Sequence, residues 1–184
     1  GDGTLLDVYE EVAAEIRDDS GQPVPDGELG TLWIRAAACS DGYLAATTDA
    51  VLRGPDGWAT VHDMGRMTEG RLQLAGRAGD IVATGGHKVS LPEVERAFDG
   101  MPGLGTVCAI ALPDPRLGAV VALVVEGAST PSKADLQAWA RDRLAPQFVP
   151  RRWYRLDRIP RTAGGKIRRP ETTALIERGE GIRL

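Results

Sequence analysis

Glycine-rich turns are expected early in the chain at Gly42, Gly54, Gly57, Gly65 and Gly70 with only short apolar pieces between them, a spacing that reads as antiparallel β with no helix. Residues 6–17 alternate loosely around Val8, Val12 and Ile16 before Asp18-Asp19-Ser20-Gly21, which predicts one strand entering a turn, and a second strand is expected from Leu29 to Ala36. The texture changes after Gly76. Ile81–Ala83 is a short strand, and Ser90-Leu91-Pro92-Glu93 supplies a hydroxyl N-cap, an early proline and the glutamate of a capping box, with Leu91, Val94 and Phe98 on one helical face. The apolar runs Thr106–Leu112 and Ala119–Val125 flank Pro113-Asp114-Pro115 and predict a hairpin. Ser132 caps a helix with the stripe Leu136, Trp139, Ala140 and Leu144, ended by Pro146. Arg152–Arg158 is a strand, and Pro170 opens a last helix that runs to about Glu177. The expected fold class is α+β: a mostly antiparallel β piece over 1–75 and a small α+β unit over 76–184.

The formal charge of −4 conceals an asymmetry. Residues 1–80 hold 15 Asp or Glu against 6 Arg, whereas 141–169 hold 10 Lys or Arg against Asp142 and Asp157. Beyond Trp153-Tyr154 the basic stretch has no interleaved aromatics and no nucleic-acid motif, so a small polyanion such as a nucleotide or coenzyme A fits better than a nucleic-acid polymer. No apolar run approaches the length that spans a bilayer. Cys39 and Cys108 lie in apolar stretches without metal-like or redox-like spacing, which points to reduced, buried thiols in a cytoplasmic protein. No signal peptide is visible, and the abrupt opening on Gly1-Asp2-Gly3-Thr4 reads as a boundary or cleavage point.

The most informative segment for chemistry is Ile159-Pro160-Arg161-Thr162-Ala163-Gly164-Gly165-Lys166-Ile167-Arg168-Arg169. Two adjacent glycines let a backbone approach a ligand closely, and one ammonium on a flexible stem suits a phosphoryl or acyl-phosphate oxygen as its charge develops. A Walker-type phosphate loop would need a glycine at 160 and a hydroxyl at 167, where Pro160 and Ile167 stand. A solvated basic turn is the plain alternative, and Gly-Gly-Lys alone does not exclude it.

Five segments together resemble the C-terminal part of the adenylate-forming enzymes, the superfamily of acyl- and aryl-CoA ligases, luciferases and peptide-synthetase adenylation domains. They are Gly27-Glu28-Leu29-Gly30 with Gly42-Tyr43; Asp56-Gly57-Trp58 leading to Asp63 and Gly65-Arg66; Gly76-Arg77-Ala78-Gly79-Asp80-Ile81; Gly85-Gly86-His87-Lys88-Val89 through Pro92-Glu93-Val94-Glu95; and the Pro160–Arg169 loop. The resemblance covers almost the whole chain. It implies that 1–75 is the β-barrel-like end of a large adenylating domain and 76–184 a C-terminal lid domain.

The implied activity is AMP-forming acid–thiol ligation in the cytoplasm, as in fatty acid metabolism: a carboxylic acid is joined to AMP from ATP, then passed to the thiol of coenzyme A. In that scheme Lys166 would reach the acyl carboxylate and α-phosphate, Asp63 would accept hydrogen bonds from the ribose, and Arg77 would assist at ribose or phosphate. Gly79 would be the hinge on which the lid turns. Gly85 and Gly86 would line the pantetheine passage, for which a tight strand-to-strand turn is an equally good reading. Lys88, Arg151, Arg152, Arg168 and Arg169 would meet coenzyme A phosphates, although each alone reads as a solvated surface charge.

Three features depart from the family pattern. Val61-His62 replace the Thr-Gly before Asp63, and His62 reads as a packing or surface residue because no Ser or Cys nucleophile motif accompanies it. Gly79 stands where Asp or Lys is usual. The segments that hold triphosphate, adenine and the acyl group are not in this sequence, so the resemblance implies activity only together with the N-terminal part of the same enzyme, which would also bind most of the Mg2+; no metal ligands are assigned here. Two other readings remain open: a fatty acyl-AMP ligase or adenylation unit loading a phosphopantetheine carrier protein, and a non-catalytic binding module.

Overall fold

In the computed structural model, which describes residues 5–39, 53–60 and 62–184, the chain divides into two units, Asp2–Gly79 and Asp80–Leu184. Gly42 and Tyr43, with the turn expected at Gly42, and Val61 lie outside the described residues.

The first unit is built on strands β1 (Leu5–Asp7), β2 (Ala13–Arg17), β3 (Gly30–Arg35), β4 (Asp63–Thr68) and β5 (Arg71–Arg77). They form one sheet in the order β1-β5-β4-β3-β2, every pair antiparallel. The single strand expected over 6–17 is two strands. A turn in which the Val12 N–H donates to the Tyr9 carbonyl (2.9 Å) interrupts it, and the halves go to opposite edges of the sheet. Local alternation cannot register such a break, because the partners that decide it, Leu72 for Leu6 and Leu32 for Ile16, are distant in sequence.

Gly65 likewise does not form the expected turn. It lies inside β4 at a register shift, where a Cβ would come within 2.8 Å of the Gln73 carbonyl oxygen, so glycine there permits the close approach of β5. The β4–β5 turn itself is made by Glu69 and Gly70, both at positive φ (51° and 76°), as a two-residue hairpin turn requires. Ile16, Trp58, Met64, Leu72 and Ala75 are buried in this unit, and the Arg17 guanidinium lies 5.0 Å from the Trp33 ring and 4.8 Å from the Trp58 ring.

The second unit begins with the hairpin β6 (Ile81–Thr84) and β7 (His87–Ser90), followed directly by helix α1 (Leu91–Arg96). The Ser90 hydroxyl accepts the Glu93 N–H at 3.2 Å, the cap its sequence predicts. Strands β8 (Val107–Asp114) and β9 (Gly118–Glu126) form the expected antiparallel hairpin. Helix α2 (Lys133–Arg143), capped by Ser132, then crosses over to β10 (Arg152–Leu156), which pairs parallel to β9. Helix α3 (Arg169–Glu177) and β11 (Ile182–Arg183) complete the sheet β11-β10-β9-β8.

The run of β9 alternates cleanly between two apolar layers. Val121, Leu123 and Val125 lie with Val94 of α1, Phe98 just beyond it, and Leu136 and Ala140 of α2, whereas Val120, Ala122 and Val124 lie with Ile159 and Ile176 on the other face. A strand covered on both faces reads as an uninterrupted apolar run, which is how it appears in the sequence.

Candidate functional site

In the first unit the structure brings Asp63 and Arg77 together. Asp63 opens β4, Arg77 closes β5, and they are direct cross-strand partners with Oδ1 and Nε 3.7 Å apart. Arg77 is 80% exposed and Asp63 34%, so both heads face solvent at the open end of the hairpin. The backbone before Asp63 is shaped by His62, an exposed residue at φ 62°. Its N–H donates to Thr60 Oγ1 at 3.0 Å and its carbonyl accepts the Ala78 N–H at 3.0 Å, closing the strand ends on each other. His62 therefore acts through its backbone, and its left-handed conformation is one that glycine would adopt at less cost.

In the second unit the glycine loop is a tight hairpin. Arg161 and Ile167 form an antiparallel bridge, the Thr162 N–H donates to the Lys166 carbonyl (2.8 Å), and the Gly165 N–H returns to the Thr162 carbonyl (2.9 Å). Gly165 takes φ 82°, and the Lys166 N–H reaches Thr162 Oγ1 at 3.2 Å. Lys166 is exposed, with no side-chain partner among the described residues.

Gly85 and Gly86 make the β6–β7 turn at φ 54° and 84°. The Gly85 N–H donates to the Leu117 carbonyl at 3.2 Å, and a Cβ on Gly85 would lie 3.0 Å from Leu117 Cδ2. This is the tight strand-to-strand turn that the sequence allows, and Lys88 lies on the same hairpin. Gly79 lies in a single 3₁₀ turn, Ala78–Asp80; a Cβ there meets open space and its φ is outside the left-handed region.

The arginines named from sequence as phosphate contacts separate sharply. Arg169 is neither a solvated charge nor available to a phosphate. Its Nε donates to Asp80 Oδ1 at 2.9 Å, and its Nη1 donates to Glu95 Oε1 and to the Ala109 carbonyl. Only 19% of its side chain is exposed, and these partners hold it protonated more firmly than an ordinary arginine despite burial, which opposes the charge. Arg152 is held by Asp114 at 3.2 Å and Arg168 by Glu171 at 2.6 Å, whereas Arg151 has no side-chain partner among the described residues.

Sequence reasoning passed over Asp80, Glu95, Glu126 and Arg161, which surround the glycine loop. Asp80, Glu95 and Arg161 stand inside quoted motifs, but nothing local says which distant side chain each will meet. Burial pushes the Cys108 thiol, beside Arg169, up to about 11 against the lowering effect of that cation, so it is inert at neutral pH. Among the described residues no group of three His, Cys, Asp or Glu could hold a metal ion, and no helix is long and apolar enough to cross a membrane.

Residues 93–166 match the AMP-binding enzyme C-terminal domain family. The chain is 36% identical to a feruloyl-CoA synthase of Amycolatopsis sp over 83% of its length and 32% of that protein's, and 32% identical to the 2-succinylbenzoate–CoA ligase of Salmonella typhimurium, covering 85% and 35%. Among solved structures it superposes on amide bond synthetase McbA from Marinactinospora thermotolerans with a TM-score of 0.75 at 30% identity, covering 90% of this chain and 34% of that one. The chain thus spans about a third of the length of these relatives.

Proposed function

Because this chain belongs to the adenylate-forming enzymes, whose AMP-binding C-terminal domain it carries at 93–166, we propose that it serves as the C-terminal portion of a cytoplasmic AMP-forming acyl-CoA ligase. In the first half-reaction a carboxylate oxygen attacks the α-phosphorus of ATP and pyrophosphate leaves; in the second the thiol of coenzyme A attacks the acyl carbon and AMP leaves. Lys166 offsets the negative charge that builds on the α-phosphate oxygens and the attacking carboxylate. Asp63, an acceptor-only group, takes the ribose hydroxyls, and Arg77 beside it offers donors of its own. The turn at Gly85–Gly86 presents backbone with no side chain to a thin pantetheine arm, with Lys88 beside it for phosphate. The N-terminal portion of the enzyme supplies the acyl pocket, the triphosphate contacts and the Mg2+ ligands.

The observation that carries this reading is Lys166 itself: an exposed ammonium with no side-chain partner among the described residues, on a backbone closed by hydrogen bonds on both sides. A lysine serving only solubility needs no such frame. In the enzyme that includes its N-terminal portion, Lys166→Ala is expected to slow ATP–pyrophosphate exchange by about two to three orders of magnitude, the scale of one lost transition-state donor. Thioester formation from supplied acyl-adenylate should stay near the wild-type rate. Equal loss in both half-reactions would remove Lys166 from this role.

The likeness to an amide bond synthetase favours a second reading in which an amine takes the acyl group. Supplying acyl-adenylate with coenzyme A, a phosphopantetheine carrier protein or an amine in parallel identifies the acceptor.

A further inference from the structure

Each foot of the glycine loop is held by a largely buried arginine–glutamate pair, and the reactive part of the loop lies between them. At the leading foot, Glu126 on β9 accepts the Ile159 N–H with Oε1 (2.9 Å) and binds the Arg161 guanidinium with Oε2. Arg161 also donates to Thr106 Oγ1 at 2.8 Å, so it spans the ends of β8 and β9. At the trailing foot Arg169 is gripped by Glu95 of α1, by Asp80 and by the Ala109 carbonyl of β8, while Glu95 Oε1 accepts the Ala109 N–H at 2.7 Å. Between the feet the Arg168 N–H donates to the Pro160 carbonyl at 2.9 Å, joining the two strands of the loop below the Arg161–Ile167 bridge.

Buried ion pairs are a weak source of net stability, because desolvation consumes most of the Coulombic gain, and apolar side chains of the same volume would serve the core as well. What a hydrogen-bonded pair supplies and an apolar contact does not is direction. Arg161 precedes Lys166 by five residues and Arg169 follows it by three, and the loop between carries no apolar anchor apart from the half-buried Ile167. Their partners Glu126, Thr106, Glu95 and Ala109 lie in strands, a helix or a strand end of the core, so the loop inherits their rigidity while its tip stays in solvent.

We propose that Glu126 and Glu95 are positioning residues, which through Arg161 and Arg169 fix the two feet of the glycine loop and so set where Lys166 is presented to the reacting phosphate. The inference rests on the role given to Lys166 above. It assigns the adenylation rate to residues that touch neither nucleotide nor acid. Because Arg169 also holds Asp80 and α1 at the start of the unit, the Glu95 pair bears on both half-reactions, whereas the Glu126 pair bears on the first alone.

The test uses the enzyme that includes its N-terminal portion, with Glu126→Gln, Glu95→Gln and Lys166→Ala measured side by side for ATP–pyrophosphate exchange, thioester formation from supplied acyl-adenylate, and hydrogen exchange of the Gly165 and Lys166 amides. Glu126→Gln is expected to lower kcat of pyrophosphate exchange about ten- to a hundredfold with KM for ATP little changed, since a misplacement of the order of an ångström costs that much. The loop amides should exchange faster while those of β8 and β9 do not, and thioester formation should be unaffected; Glu95→Gln should slow both steps. If Glu126→Gln opens the β8–β9 amides as well, Arg161→Lys, which keeps the charge on a head without the fork, is measured in its place with the same expectations.

Looser loop amides with an unchanged exchange rate would overturn the positioning role. So would a fall in both half-reactions for the Glu126 variant. A Lys166→Ala enzyme with wild-type exchange would instead remove the role of Lys166 on which the inference stands, whatever the glutamate variants do.

Discussion

The ribose role proposed for Asp63 depends on its strand position. As the first residue of β4 it is paired across the sheet with Arg77, and the two charged heads share the solvent-facing end of one hairpin. Removing the carboxylate with Asp63→Ala should weaken ATP use in the whole enzyme by about 1.5–3 kcal/mol, the range for hydrogen bonds to a charged group, read as a rise in KM for ATP. An unchanged nucleotide dependence would place the ribose elsewhere. Cys108 makes the opposite case, a nucleophile by type that its surroundings silence. It is fully buried, with its thiol pushed up to about 11 chiefly by burial, whereas Cys39 is half-exposed. Iodoacetamide at pH 8 should therefore modify Cys39 in the native protein and Cys108 only after unfolding, which mass spectrometry of the peptides resolves; equal labelling of both thiols in the native state would contradict the burial.

At the scale of elements, the leading foot of the loop between β10 and α3 is held by the Glu126 carboxylate. Burial would raise the Glu126 carboxyl, but the Ile159 N–H, then Arg161 and Thr106, outweigh it and hold the group below its ordinary value of 4.5. A folded-state value below the unfolded one means that the contribution to stability is complete above about pH 4.5 and is lost as pH falls through the folded value. Thermal unfolding followed from pH 7 to pH 3 should thus show wild type losing stability more steeply than Glu126→Gln on the acid side, so that the gap between them narrows. Parallel acid limbs would mean that Glu126 does not titrate with folding. The same carboxylate–arginine logic corrects the reading of the basic stretch 141–169: Arg152, Arg161, Arg168 and Arg169 all find acidic partners, and the excess cation count of the sequence overstates what a polyanion would meet.

At the scale of the whole molecule, Ala78–Asp80 forms the single turn at the division between the two units, and Gly79 occupies it in a conformation that any residue could adopt. If Gly79 is the pivot, its glycine character matters only in another arrangement of the chain. Gly79→Pro, with φ fixed near −65°, should therefore leave each unit folded and block one half-reaction; acyl-adenylate is expected to accumulate while thioester formation stops. Both half-reactions at wild-type rates would place the pivot elsewhere. What the sequence determined by itself is everything carried by short-range chemistry: the Ser90 and Ser132 caps, the Gly70 turn, the β8–β9 hairpin and the motifs that identify the family. Each depends on residues within a few positions of one another. Tertiary structure alone decided that 6–17 is two strands at opposite edges, that Gly65 lies within a strand, that the two-residue β11 exists, and that Arg169 is buried between Asp80 and Glu95. In those cases the deciding partner lies far away along the chain, and a strand edge or a charged side chain looks the same in sequence whether or not the fold brings that partner to it.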